Sequence, residues 1–225
     1  MSNNASWADG LEDELNFWNN WVKNRGGEFS KDFEFRVNPA SQVEGLLKRI
    51  FDMQNPSNQS KILDVGAGPL TCLGKYYGDL KLNISAVDAL APLYDKLSWG
   101  NINREPITMQ CKTEELDQLY APFTFDYVYA QNTLDHHFDA PLAFKQMIHV
   151  AKRGGIIATS HHENEASHGR WTGLHGWNFF IFKNDLKIAN YEKIVSLKEL
   201  ISPFANLVSV NYDSSGDIET IIQKN

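Results

Sequence analysis

Residues 61–71 read Lys-Ile-Leu-Asp-Val-Gly-Ala-Gly-Pro-Leu-Thr, and the reading of this stretch decides the fold. A short apolar run carrying one acid, Asp64, breaks into a loop with glycines at 66 and 68. Twenty-two positions after Gly66, a second apolar run over 83–87 ends in Asp88. The pattern is that of a strand, a tight turn whose glycines let backbone approach a ligand, and a second strand. The carboxylate ending that second strand can accept from two ribose hydroxyls.

Working outward, strand-like runs recur at 108–111, 125–129 and 155–159. A final pair, 207–212 and 218–222, is joined by Asp213-Ser-Ser-Gly-Asp, which suggests an antiparallel edge. Helical segments are expected at 41–53, 69–77, 93–99, 139–151 and 197–204, with a helical turn over 114–119. Parallel strands need crossover connections, so this alternation predicts a doubly wound, mostly parallel seven-stranded α/β sheet. Residues 59–225 form its domain, with an insertion at about 161–196 after the fifth strand. That insertion opens with a His- and Gly-rich irregular run, 161–178, and continues as a β-hairpin of 179–182 and 186–188.

Residues 1–58 read as an N-terminal helical lid and substrate-side segment. Residues 1–8 are expected to fray. From a cap at Asp9 to a stop at Gly26-Gly27, Leu11, Leu15, Trp18 and Val22 recur at helical spacing, with Phe17 and Trp21 widening the stripe. The stripe suits a helix packed on the core as well as it suits a lid. An aromatic loop over 29–39 then carries Arg36, either an ordinary ion-pair partner or a clamp for a carboxylate or phosphate of the substrate.

Composition removes several classes of function. A net charge of −7, with no basic block, disfavours nucleic acid as a partner. The 42% hydrophobic and 22% charged fractions are those of a soluble domain. Cys72 and Cys111 lie in no metal-ligand spacing, and no signal segment or membrane-length apolar run is found, so a cytoplasmic chain with reduced thiols and no membrane partner is expected. Oligomeric state is not legible.

The glycines alone indicate a nucleotide-like ligand. A dinucleotide fold places a third glycine where this chain has Thr71, and sets a pyrophosphate at the following helix. Asp64 would repel a pyrophosphate and attract the ammonium of a methionyl group. These residues therefore favour S-adenosylmethionine as cofactor over a nicotinamide dinucleotide, which would make the chain an oxidoreductase. A module that binds the cofactor without turnover is the remaining rival.

D-V-G-A-G at 64–68 resembles the first motif of class I S-adenosylmethionine-dependent methyltransferases, and A-V-D-A-L at 86–90 the second. Lys112-Thr113-Glu114 stands where that family contacts adenine. F-D-Y-V-Y-A-Q-N-T-L-D-H-H at 125–137 is similar to the fourth motif and K-R-G-G-I-I-A-T at 152–159 to the fifth. The resemblance covers about residues 60–160, and the last two strands by pattern. It implies that Asp64, Gly66, Ala67 and Gly68 hold the methionyl part and Asp88 with Ala89 the ribose. Thr113 and Glu114 would face the adenine region, and Asn132 would lie at the floor near the sulfonium.

Methyl transfer from a sulfonium is a direct displacement, and an alcohol or ammonium acceptor must also lose a proton. His136 and His161 follow the fourth and fifth strands, on the edge where such sheets bind ligands, and are candidate proton acceptors; solvated or core-bound histidines are the alternative. Asp135, His136, His161 and Glu163 could converge on a divalent ion, but no helix-spaced His pair or Cys partner accompanies them, and no metal is expected. Arg36, His137, His162, His175, Trp177 and Asn178 are the expected contacts to a small-molecule substrate. L-D-H-H-F-D-A-P, H-E-N-E-A and G-L-H-G-W-N-F, beginning at 134, 162 and 173, resemble methyltransferases of bacterial surface-polysaccharide and capsule gene clusters. That narrower resemblance implies a small, polar acceptor, anionic or neutral. The ordered strand-end motifs and the polar, His-rich segment after Thr159 lead to the expectation of methyl transfer to a hydroxyl or phosphoryl oxygen of a small polar metabolite, with N-methylation as the alternative.

Overall fold

The computed structural model describes residues 3–225, with side chains from Gly10 onward. Its main sheet has seven strands, numbered here β1 (Lys61–Val65), β2 (Asn83–Asp88), β3 (Thr108–Gln110), β4 (Phe125–Gln131), β5 (Ala151–His161), β6 (Ala205–Tyr212) and β7 (Ile218–Lys224). Their spatial order is β6-β7-β5-β4-β1-β2-β3. Only β7 runs against its neighbours β5 and β6; the pairs β5–β4, β4–β1, β1–β2 and β2–β3 are parallel. This is the expected doubly wound sheet.

Both faces of the sheet are covered, and the two-residue period of a strand sorts its side chains between them. Leu63, Val65, Val128, Ala130 and Ile157 pack with helix Ala140–Val150. Ile62, Tyr127, Tyr129, Ile156 and Ala158 pack against Leu46, Leu47, Ile50 and Phe51 of helix Gly45–Gln54. Asp64 falls in the second set of positions, between Leu63 and Val65, and is fully buried. The strand order reverses between β1 and β4, where the β1–β2 connection leaves one way and β4 lies on the other side. A crevice at the carboxyl ends of the strands follows from that geometry.

The helix expected at 69–77 does not form. The amides of Lys75 and Tyr76 donate to the Ser41 carbonyl at 2.7 and 3.0 Å, and Val43 N donates to Tyr76 O at 2.8 Å. Those backbone groups are thus spent on the 41–43 segment rather than on an i−4 ladder. Gly74 sits so close to that segment that a Cβ would lie 2.2 Å from the Gln42 carbonyl carbon. Residues 76–77 instead pair with 80–81 in a short ladder. For the same reason the helix expected from Ser41 starts only at Gly45.

The N-terminal helix, α1 (Asn3–Lys23), begins before Asp9, which is therefore not its cap; positions 3–8 are helical, and residues 1–2 lie outside the described residues. The expected aromatic loop contains a helix, α2 (Ser30–Val37). Its Phe33 joins Trp18, Trp21 and Val22 of α1 with Leu70, Leu90, Tyr94 and Trp99 in an aromatic cluster over the crevice. After β5 the chain inserts a three-stranded antiparallel sheet, Asn178–Ile181, Leu186–Ala189 and Ile194–Ser196, one strand more than the expected hairpin. The insertion meets α1 closely enough that a Cβ on Gly10 would lie 2.6 Å from the Gly173 carbonyl carbon. No helix among the described residues is long and apolar enough to cross a membrane.

Candidate active site

A cavity of about 580 Å³ opens at the carboxyl ends of β1, β2, β4 and β5, roofed by α1 and walled by the insertion. Gly66, Ala67, Gly68, Asp88, Ala89, Thr113, Glu114 and Asn132 all line it. Gly66 and Gly68 both have φ of +64°, a region that glycine enters without penalty. Each is also crowded: a Cβ on Gly66 would come 2.0 Å from Thr133 Oγ1, and one on Gly68 2.9 Å from the Trp18 ring. Asp88 braces the turn, accepting from Gly68 N at 3.0 Å and Leu90 N at 2.8 Å. Burial raises its pKa to about 6 despite those two amides. A carboxylate has lone pairs for about four hydrogen bonds, so Asp88 can still accept from a ligand.

Asp64 is placed differently from expectation. It does not line the cavity; it is buried beneath the loop and accepts from Thr71 Oγ1 at 2.5 Å. Thr71 Oγ1 in turn accepts from Leu73 N at 3.1 Å. Burial lifts Asp64 to about 6, opposed by the Thr71 hydroxyl and by the charge of Arg36. Thus Asp64 shapes the turn from below, and its alternation in β1 is the physical reason. Arg36 lines the cavity and is at the same time engaged by the glycine turn and by its own helix. Its Nη1 donates to Leu70 O at 2.8 Å and Ala67 O at 3.4 Å, its Nε pairs with Asp32 at 2.8 Å, and its guanidinium stands 5.5 Å from the Trp18 ring centre.

The histidines divide sharply. His137 is committed on both ring nitrogens, Nδ1 to Thr133 O at 2.9 Å and Nε2 to Thr113 Oγ1 at 2.5 Å; burial lowers its pKa. It holds the β3-side loop to the loop after β4, and no ring nitrogen remains for substrate. His162 is exposed at the rim, paired to Asp217 at 2.5 Å. His161 ends β5, buried and stacked on Phe179 with centroids 4.5 Å apart. Neither of its ring nitrogens has a partner among the described residues, and burial lowers its pKa to about 4, so the neutral imidazole keeps a free lone pair.

His136 lines the cavity with its Nε2 3.2 Å from Nδ1 of His175. Both face Asp135 Oδ2, at 3.3 Å from His136 and 2.7 Å from His175. Burial alone would raise Asp135, but the two histidines hold it below the ordinary carboxylate range; the Asp135 bond raises His175. His161 and Glu163 are not part of this group, so the four-residue convergence weighed from sequence does not occur. Two expected substrate contacts lie elsewhere. Trp177 is in the core with its Nε1 donating to His137 O at 2.8 Å, and the Asn178 side chain is bound to Ser167.

Sequence reasoning missed the roof as a set of site residues. Leu11, Glu14, Phe17, Trp18 and Trp21 of α1 face the cavity, and Trp18 Nε1 donates to Glu14 at 2.6 Å. The helical stripe contained Trp18, but nothing in it showed that the ring would lie on Gly68. The partnership of Asp135 with His175, forty positions away, had no local signal at all.

No family model matches the chain, and no curated protein matches it. Solved structures do share its architecture: the seven-stranded, Rossmann-like fold of class I methyltransferases. One is the Burkholderia thailandensis 1,6-didemethyltoxoflavin-N1-methyltransferase, with 1,6-didemethyltoxoflavin and S-adenosylhomocysteine bound. It is 17% identical with a TM-score of 0.53, covering 100% of this chain and 92% of that one. Another is the complex of the Haloferax volcanii Trm112 methyltransferase activator with its candidate methyltransferase, 12% identical, TM-score 0.54, covering 94% and 96%. The CurJ carbon methyltransferase aligns at 15% identity and a TM-score of 0.53 over 79% of this chain and 53% of its own. At such identities the likeness is one of fold.

Proposed function

We propose that this chain is an S-adenosylmethionine-dependent methyltransferase acting on an oxygen, hydroxyl or phosphoryl, of a small polar metabolite. A capsule or surface-polysaccharide precursor fits that description. The observation that carries the reading is the bare glycine turn at φ of +64° braced by the half-buried carboxylate of Asp88, which lines the same cavity and retains acceptor capacity. A volume of about 580 Å³ suits a ligand of this size with room for an acceptor. The residues fit the cofactor as follows: the backbone of Gly66–Gly68 against the methionyl part, Asp88 and Ala89 at the ribose, Thr113 and Glu114 toward the adenine, Asn132 at the floor. S-adenosylmethionine supplies an electrophilic methyl group on sulfur.

The chain's own contributions are alignment, exclusion of water and proton uptake. Helices α1 and α2 act as the lid, with the α1 aromatics closing the cavity above Gly68. His161 offers a neutral imidazole with a free lone pair, which can take the acceptor's proton, and His136 is the second candidate; His162 and His175 stand where they can touch an acceptor. The nearest rival within the reaction class is nitrogen as acceptor, the atom type named for the Burkholderia thailandensis enzyme. Calorimetry with S-adenosylhomocysteine is the direct test. Binding that Asp88→Ala weakens supports the reading, and no heat at millimolar ligand rejects it. His161→Ala should lower turnover while leaving that binding unchanged; full turnover would remove His161 from the mechanism.

A further inference from the structure

Three ligand-type atoms meet on one wall of the cavity: Oδ2 of Asp135, Nε2 of His136 and Nδ1 of His175. Their separations are 2.7 Å (Asp135–His175), 3.3 Å (Asp135–His136) and 3.2 Å (His136–His175). Ring protons alone do not satisfy this triangle. With Asp135 ionised, protonating both nitrogens sets donor against donor along the His136–His175 side. Protonating one leaves the other's lone pair facing the carboxylate. A cation touching all three atoms removes the conflict by using one lone pair from each. Ligand atoms held at roughly 2.0–2.1 Å from an ion, at angles between right and tetrahedral, lie about 2.8–3.4 Å apart, close to the spacing found.

The wall is also built to hold its shape. Asp135 is buried in the short 3₁₀ turn Leu134–His136. The stretch carrying His175 is tied back to that turn just beyond the histidine: Gly176 N donates to Asp135 O at 2.8 Å, and Trp177 Nε1 to His137 O at 2.8 Å. Two segments far apart in the chain are thereby clamped beside the atoms they present, as outer-shell bonds do at metal centres. His136 and His175 both line the cavity, so the unoccupied side of the triangle faces the ligand space.

We infer that Asp135, His136 and His175 form a binding site for a divalent first-row transition-metal ion, with its open coordination positions directed into the cavity. Two imidazoles and one carboxylate suit Zn²⁺, Co²⁺, Fe²⁺ or Ni²⁺; Mg²⁺ and Ca²⁺ prefer all-oxygen shells. Three protein ligands leave room for water or an exogenous donor, the arrangement of catalytic rather than structural sites. The ion withdraws His136 from proton transfer and leaves His161 as the acceptor. In combination with methyl transfer, on which this clause alone rests, it selects an acceptor that can offer the metal an oxygen donor.

The test uses the full chain, freed of any histidine tag and stripped with a chelator, then titrated with Co²⁺ and Zn²⁺. One equivalent of Co²⁺ should bind with visible d–d bands and be displaced by Zn²⁺. His136→Ala and His175→Ala should each weaken Zn²⁺ binding by roughly 100-fold or more, while His162→Ala at the cavity rim should not. Absence of a stoichiometric Co²⁺ complex, or equal affinity in both variants, overturns the site. S-adenosylhomocysteine binding by the metal-stripped chain separates the two readings: its loss counts against the methyltransferase proposal, whereas its retention without metal binding counts against this site alone.

Discussion

The guanidinium of Arg36 donates to the carbonyl of Leu70 at 2.8 Å, so a helix that precedes the sheet grips the glycine turn that follows β1. The same group reaches Ala67 O at 3.4 Å and is held by Asp32. Its fork holds the glycine turn from a position on the cavity wall. Arg36→Lys keeps the charge but loses the planar set of donors. It should weaken S-adenosylhomocysteine binding by about 10-fold, the order expected for a lost hydrogen bond to a charged group. The KM for the acceptor should stay unchanged. A raised acceptor KM with unaltered cofactor affinity would return Arg36 to the substrate.

Asp88 should make cofactor binding depend on pH. Its carboxyl is raised to about 6 by burial, so it ionises over the pH 5–7 range and accepts fully from ribose hydroxyls only above that range. The folded value lies above the ordinary one, so in the free protein the ionised form costs stability as pH rises through about 6. A ligand that requires that form repays part of the cost. Affinity should therefore fall by up to about 10-fold per pH unit below 6 and level off above 7. Asp88→Asn, measured over the same range, should bind more weakly and show a flat profile. A slope that persists in that variant assigns the titration to another group.

Gly66 is required for space as well as for backbone conformation. At Gly78, φ is +59° and nothing lies within 4 Å of an added Cβ, so Gly78→Ala isolates the conformational cost, about 1 kcal/mol. Gly66→Ala incurs a similar cost and also places its Cβ 2.0 Å from Thr133 Oγ1. Urea denaturation should find it less stable than Gly78→Ala by about 1–3 kcal/mol, the range for overpacking. Equal losses would show that the loop after β4 yields freely.

The bond from Thr71 to buried Asp64 predicts a pH-dependent defect. Thr71→Val leaves that carboxylate without its closest donor and should destabilise the fold by about 1–3 kcal/mol at pH 8. The Thr71 hydroxyl lowers the Asp64 pKa, so its removal moves that value above about 6. At pH 5 the carboxyl is protonated in the folded chain, and the defect should shrink. Denaturation midpoints at the two pH values decide it: an equal loss at both would mean that the hydroxyl is not supporting the ionised acid.

Strand positions and parallel order were legible because burial on both faces and crossover helices leave a strong periodic mark. β1 lies at Lys61–Val65 as read, and the last two strands form the antiparallel edge. The 69–77 segment misled because its helix-like composition says nothing of the carbonyls it would meet. There, tertiary hydrogen bonds to Ser41 and Val43 outweighed a short, unstable helix.

What the sequence determined by itself was the position of the turn: glycines 66 and 68 and the carboxylate at 88 are local consequences of strand ends and φ sign. The direction of Asp64 could be derived only with the sheet in place, since alternation assigns a face but not what occupies it. The same limit hid Trp18 above Gly68 and joined Asp135 to His175 across forty residues. Such contacts depend on how separate elements pack, and periodicity carries no information about distance between them.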